Sequence, residues 1–213
     1  MKANKVISRF MFRRIRKGLK IRYGKHATAL IKKAKLINKD LFSKLNNITR
    51  HNPMATRIQI AFPVIAVWLA SDRNIKIENL GEIMYQALDS LWVRAICKSI
   101  DMNNKKDLKK YSSKVKKSEN WARKHPSESN SWRFEFNDNL HKEGCYHEVT
   151  YCPLAVFCIE NGYEDIAPAL CKIDYLIVQL RHGVLLRNKT IASGDNICDF
   201  WIVGDKRVPF IKW

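Results

Sequence analysis

No stretch of this chain is apolar for long enough to cross a bilayer. Its longest apolar run, Ile60 to Ala70, falls far short of the roughly 20 residues that a spanning helix needs. The first residues also lack the apolar centre of an export signal, because Arg13, Arg14, Arg16, Lys17 and Lys20 interrupt every apolar run. These absences predict a cytoplasmic protein with no transmembrane segment. Cysteines at zinc-finger spacing are missing as well. From Cys145 through Cys152, Cys158, Cys171 and Cys198 the steps are seven, six, thirteen and 27 residues, and Cys97 stands far upstream. Structural zinc sites usually carry a C-x2-4-C pair, so no metal and no cofactor are expected. In a reducing compartment all six cysteines stay thiols, acting as small hydrophobes, nucleophiles or ligands. Acids are nearly absent from residues 1–50, which hold 16 Lys/Arg against one carboxylate. Residues 101–124 hold nine against three, and the remainder is close to neutral, with 14 against 16. The formal charge of +19 therefore belongs to two segments.

What is present is a globular composition. Apolar residues make up 46% of 213 residues, enough for one domain with a sizeable core, or a domain and an arm. Residues 5–21 set Val6, Phe10, Met11, Ile15 and Leu19 among cations, and residues 26–42 repeat the pattern with Ala27, Leu30, Ile31, Ala34, Ile37 and Leu41. Two helices joined near Tyr23-Gly24 are predicted. We divide the chain into a basic amphipathic arm at 1–22 and a single α+β domain at 23–213. Two readings of the basic segment stand side by side. It attaches to an anionic surface or partner, or its stripes dock on the domain with the charges solvated. The few aromatic residues there, such as Phe10 and Phe12, do not make the interleaved platform that nucleic-acid stacking requires.

Pro63 opens a short helical run in this reading, and a helix over 77–99 places Leu80, Met84, Ala87, Leu88, Leu91 and Ala95 on one face. The Lys-rich stretch at about 101–124 reads as an exposed connection or a solvated helix. The second half changes character. Trp132 to Phe136 alternates, Tyr146 to Cys152 is β-rich, and Pro153 ends that strand while opening a helix to about Glu160. A further helix spans about 164–181. Val184 to Ile191 and Ile197 to Val203 then form a hairpin around Ser193-Gly194-Asp195-Asn196. This order predicts an α+β fold, with a helical N-terminal half packed on a small antiparallel sheet and two central helices in the C-terminal half.

Three places carry chemistry. On the helix at 164–181, Cys171 and Asp174 are three residues apart and share a face at the edge of the apolar stripe. On the strand before Pro153, alternation sets Glu148, Thr150 and Cys152 opposite His147, Val149 and Tyr151, so His147 is not assigned as a base for Cys152. Near the end, Cys198 and Asp199 are adjacent and point to opposite faces of a regular strand, and Gly194 can let backbone N–H groups converge on an anion.

The run Val149-Thr150-Tyr151-Cys152-Pro153-Leu154-Ala155, the C-x-x-D helix at Cys171-Lys172-Ile173-Asp174, and the block Arg187 to Phe200 ending in Cys-Asp-Phe together resemble the L-2-amino-thiazoline-4-carboxylic acid hydrolases. The likeness is strongest over about 146–203. It implies a small-molecule substrate, a five-membered cyclic isothiourea bearing a carboxylate. Water adds at the carbon between sulfur and nitrogen, and release of sulfur gives an N-carbamoyl amino acid. Cys152, Cys171, Asp174 and Cys198 are the candidate catalytic residues, with Thr150, Arg187 and Asp199 as candidate substrate-binding residues. Asp174 and Asp199 would hold the amidine-like nitrogens as positive charge develops. One of the three cysteines would attack as thiolate, or a carboxylate would activate water while the cysteines pack. Arg187 would take the substrate carboxylate as a fork. Two other functions remain open: a non-catalytic module of the same fold that holds a small ligand or metal, and a basic-arm adaptor on anionic surfaces.

Overall fold

The computed structural model describes residues 2–208. Helices α1 (Lys5–Tyr23) and α2 (His26–Lys44) form a hairpin that turns at Gly24. Their apolar stripes are docked: Met11, Ile15 and Leu19 of α1 and Ala27, Ala34 and Leu41 of α2 lie in the same core cluster as the rest of the chain. Asn4 starts α1 by accepting from the N–H groups of Val6 and Ile7 at 2.9 and 3.2 Å, which satisfies two donors that a helix start leaves free.

Helix α3 (Ala55–Ala70) is buried on nearly every side, as expected for a helix apolar all round. Pro63 lies in its middle and does not begin it. The helix tolerates the missing N–H because α3 is wrapped by other elements, and Gln59, one turn earlier, has its own role. Its side chain accepts from Asn4 N at 2.7 Å and donates to Lys2 O at 3.0 Å, which ties the start of the chain to the core. Phe62 of α3 is fully buried between Phe42 of α2 and Phe157, with centroids 4.8 Å away on each side. Burial of one such ring contributes about 2–3 kcal/mol, and this stack joins the N-terminal helices to the C-terminal half.

The single helix expected over 77–99 is two helices, α4 (Ile77–Leu88) and α5 (Leu91–Cys97). Ser90 between them accepts from Val93 N at 3.3 Å and caps the second; a Ser at that position competes with continued helix. Arg14 of α1 donates to the carbonyls of Gln86 and Ala87 at 2.9 and 3.1 Å, closing the end of α4. Gly18 lets α1 lie close to α4: a Cβ there would stand 3.1 Å from an Ile83 methyl.

The Lys-rich stretch is a helix, α6 (Lys105–Lys124), and its inner face is packed. Buried Glu119 accepts from Phe134 N at 2.7 Å and pairs with Arg123 and Arg133. A carboxylate can be buried there because every acceptor has a donor. Four antiparallel strands follow in the spatial order β1-β2-β4-β3: β1 (Arg133–Glu135), β2 (Cys145–Tyr151), β3 (Gly183–Leu186) and β4 (Cys198–Gly204). Between β2 and β3 lie α7 (Pro153–Glu160), a 3-10 turn at Glu164–Ile166, and α8 (Ala167–Gln179). The α+β architecture is as predicted. The terminal hairpin is β3 with β4, shorter than expected and joined by a longer loop that holds a 3-10 turn at Ile191–Ser193. Among the described residues no helix is long and apolar enough to cross a membrane.

Candidate active site

The register of the sheet decides which side chains meet. Val149 pairs with Cys198 and His147 with Phe200, so these four share the face that packs into the core, together with Ile202 and its partner Leu185. On the opposite face Glu148 pairs with Asp199 and Tyr146 with Trp201. Thr150 belongs to that second face by alternation. The sheet therefore separates Thr150 and Asp199 from Cys198.

Cys152 sits just past the end of β2, as the residue that precedes Pro153 and begins α7. Residue 152 thus escapes the alternation that would group it with Thr150. Its thiol lies within electrostatic reach of Cys198 and Asp174 and near the N–H groups of Ala155 and Leu154 in the first turn of α7, without a capping hydrogen bond to either. Burial pushes this thiol up to about 11, the two N–H groups oppose the rise, and Cys198 and Asp174 add to it. From α8, Cys171 joins the same group. Its thiol is driven up by burial first, then by Asp174 and Cys152, with Arg187 opposing. Cys198 is raised by burial, while Ile191 N, which donates to its sulfur at 3.2 Å, and Arg187 pull the other way. Cys152, Cys171, Cys198, Asp174 and Arg187 thus form one cluster drawn from α7, α8, the end of β3 and β4.

Arg187 is the centre of this cluster. Alternation past β3 directs it to the core face, where its side chain is only 2% exposed. Its Nη1 donates to Asp174 Oδ2 at 3.1 Å and its Nη2 to the Cys171 carbonyl at 3.1 Å. The guanidinium lies between the rings of Tyr175 and Phe200, 4.8 and 5.0 Å from their centroids, a cation–π arrangement that replaces part of its lost hydration. Its Nε is buried with no partner. Asp174 keeps 25% of its side chain exposed and so gives the cluster contact with solvent.

Asp199 has another task. It accepts from Asn188 N at 3.0 and 3.1 Å and from Lys189 N at 2.6 Å, and so fixes the loop after β3. Gly194 adopts the left-handed conformation, φ 98°, but the amides around it are spent within the turn: Gly194 N donates to Ile191 O and Asp195 N to Thr190 O. They do not converge on an anion. His147 is enclosed by Phe200, Phe134, Phe136 and Tyr111, and burial lowers it to about 3, with Arg57 adding to the shift. It is neutral at ordinary pH.

Sequence reasoning missed Tyr175, Phe200 and the amide of Ile191. Phe200 was within reach, since period two places it beside Cys198 on its strand. Tyr175 carried no local signal, because it acts only through an arginine twelve residues on. Among the described residues, no three His, Cys, Asp or Glu side chains are grouped to hold a metal ion. Two cavities, of about 370 and about 500 Å³, lie among α1, α2 and α3, away from the thiols.

No curated protein and no solved structure matches the chain. One family model does, over residues 54–202, a span that contains every member of the thiol cluster and omits α1 and α2; its description is L-2-amino-thiazoline-4-carboxylic acid hydrolase.

Proposed function

We propose that this chain, which belongs to the L-2-amino-thiazoline-4-carboxylic acid hydrolase family, opens a cyclic isothiourea carboxylate of that type, with Cys152 as nucleophile. The observation that carries this reading is the position of Cys152 as the residue that begins α7, its thiol buried and within reach of Asp174, which Arg187 holds at 3.1 Å. At rest the thiol is neutral, because burial and a nearby carboxylate both disfavour its anion. A substrate whose amidine-like carbon is flanked by protonated nitrogens brings the missing positive charge. Asp174 would hold that charge, and the α7 amides would then favour the thiolate.

The steps balance. Cys152 loses its proton, and its sulfur bonds to the ring carbon between nitrogen and sulfur. The bond from that carbon to the ring sulfur breaks, and the departing sulfur takes the proton. The carbon is now held on Cys152 as an isothiouronium group. Water adds to it, the Cys152–carbon bond breaks, Cys152 is reprotonated, and a proton is released. The product is an N-carbamoyl amino acid with a free thiol. Arg187 acts as a positioning residue that holds Asp174 in orientation, and its unpartnered Nε is the donor left for a substrate oxygen. Cys171 and Cys198 would enclose the reacting carbon.

The test is incubation of the purified chain with 2-amino-thiazoline-4-carboxylate, following free thiol and N-carbamoyl product by mass spectrometry. Turnover that disappears in Cys152→Ala and survives in Cys171→Ala supports the reading. Tight binding without turnover would mean a non-catalytic module of the same fold, and activity retained by Cys152→Ala would move the nucleophile elsewhere.

A further inference from the structure

The larger cavity lies between α1 and α2, outside the family match, and takes no part in the chemistry above. Its volume of about 500 Å³ is within the range of small-molecule pockets. Lys5, Arg9, Arg13 and Arg16 reach it from α1, and Lys35 and Lys39 from α2. Among the described residues none of these six cations takes part in an ion pair. The one acid of the first fifty residues, Asp40, is held by Lys44 at 3.2 Å. Six like charges around one concavity repel one another and focus a positive potential into it. The chain accepts that cost where it has placed no carboxylate to relieve it.

The wall of the cavity adds an independent observation. Asn38, only 3% exposed, lines it, and its side-chain oxygen has no hydrogen-bond partner. The hydroxyl of Ser8, also in the lining, is buried and unpartnered too. Buried polar groups in folded proteins are nearly always satisfied, and here two that have no partner within the chain line the same cationic cavity. A hydroxyl rotates to donate, and an amide presents its NH2 group after a flip that costs nothing in shape. The first turn of α1 also borders the cavity, and its macrodipole favours an anion there.

We propose that this cavity binds a small polyanion carrying two or more linked phosphoryl groups. The cations from α1 and α2 neutralise its charge, and Ser8 and Asn38 orient it by hydrogen bonds. Ala3, Phe12 and Ile31 complete the lining; Phe12, its one ring, is buried, so the site offers no exposed ring for base stacking. A compact oligophosphate fits it better than a nucleic-acid strand. The site is independent of the thiol cluster.

Calorimetric titration of the full chain at 0.15 M salt (about physiological) tests the proposal, with sodium tripolyphosphate, orthophosphate, duplex DNA and phosphatidylserine vesicles as probes. Tripolyphosphate is expected to bind one-to-one, and Arg9→Gln/Arg13→Gln to weaken it about tenfold or more, the effect of losing charged hydrogen bonds. Lys17→Gln/Lys20→Gln removes the same charge from exposed positions of α1 outside the cavity and should leave binding unchanged. Ser8→Ala and Asn38→Leu keep every cation and should each weaken binding; either one that unfolds by circular dichroism is replaced by the other. Equal losses in the two double variants would overturn the proposal, because diffuse charge would then explain the binding. So would tighter binding of DNA or vesicles than of tripolyphosphate, or unchanged affinity in a folded Ser8→Ala chain.

Discussion

Arg187 and Asp174 meet at 3.1 Å across the gap between the end of β3 and α8, the guanidinium almost wholly buried and the carboxylate part-exposed. Burying the arginine is costly, and the cost is offset by the carboxylate, the Cys171 carbonyl and two aromatic faces. The pair fixes how α8 lies on the sheet, and with it the distance between the thiols of α8, α7 and β4.

Removing one partner should therefore cost more than removing both. Arg187→Met is expected to lose about 2–4 kcal/mol of stability in urea unfolding, since it strands a partly buried carboxylate. Adding Asp174→Asn should recover part of that loss. A double-mutant cycle with no coupling between the two positions would refute the arrangement.

The raised Cys152 thiol makes a stability prediction with a definite sign. Its folded value, about 11, lies above the ordinary 9.0 of an unfolded thiol, so the folded state keeps the proton that the unfolded chain releases. Below pH 9 the two states hold the same proton count and nothing is lost. Between pH 9 and about 11 the contribution falls by up to about 1.4 kcal/mol per pH unit. Stability measured against pH should fall less steeply in Cys152→Ala, and identical slopes would argue against a buried, neutral thiol. Alkylation of Cys152 by iodoacetamide at pH 8 should likewise be slower in the folded chain than in the chain unfolded by urea.

Asp199 is expected to behave as a loop anchor. Asp199→Ala frees the amides of Asn188 and Lys189 and should cost about 1–2 kcal/mol, with faster hydrogen exchange at both. The alkylation rate of Cys152 should not change. If that rate rises with the substitution, the two faces of the sheet are coupled more closely than the register implies.

Gly144 precedes β2 with φ 85°, and a Cβ there would lie 2.2 Å from the Ile202 carbonyl oxygen of β4. Gly144→Ala combines left-handed strain with a backbone clash and should cost about 3 kcal/mol or more. A thermal unfolding midpoint within a degree of the parent would contradict the pairing at that end of the sheet.

Much of this was legible from local pattern. Proline at 153 after a β-rich run placed the β2–α7 junction, and the three-residue step from Cys171 to Asp174 put both on one side of α8. Alternation also gave the correct separation of Cys198 from Asp199. Errors arose where a neighbour outvoted the local signal. Ser90 broke a helix that the apolar spacing carried onward, and burial within the core let α3 run through Pro63. The lysines of α6 concealed an inner face built on Glu119, whose partners Arg133 and the Phe134 amide come from a strand.

The amino-acid sequence alone determined the order of elements, the segregation of charge into two segments, and the set of thiols and carboxylates available for chemistry. Those properties depend on near neighbours, through helix and strand periods and side-chain type. Only the tertiary structure decided that Arg187 belongs to Asp174, that Cys152 turns out of its strand toward Cys198, and that Asp199 serves a loop. Each of these contacts joins parts of the chain distant from one another in sequence, as where α8 packs on β3 or the loop after β3 meets Asp199 of β4, and no local period specifies how two such surfaces meet.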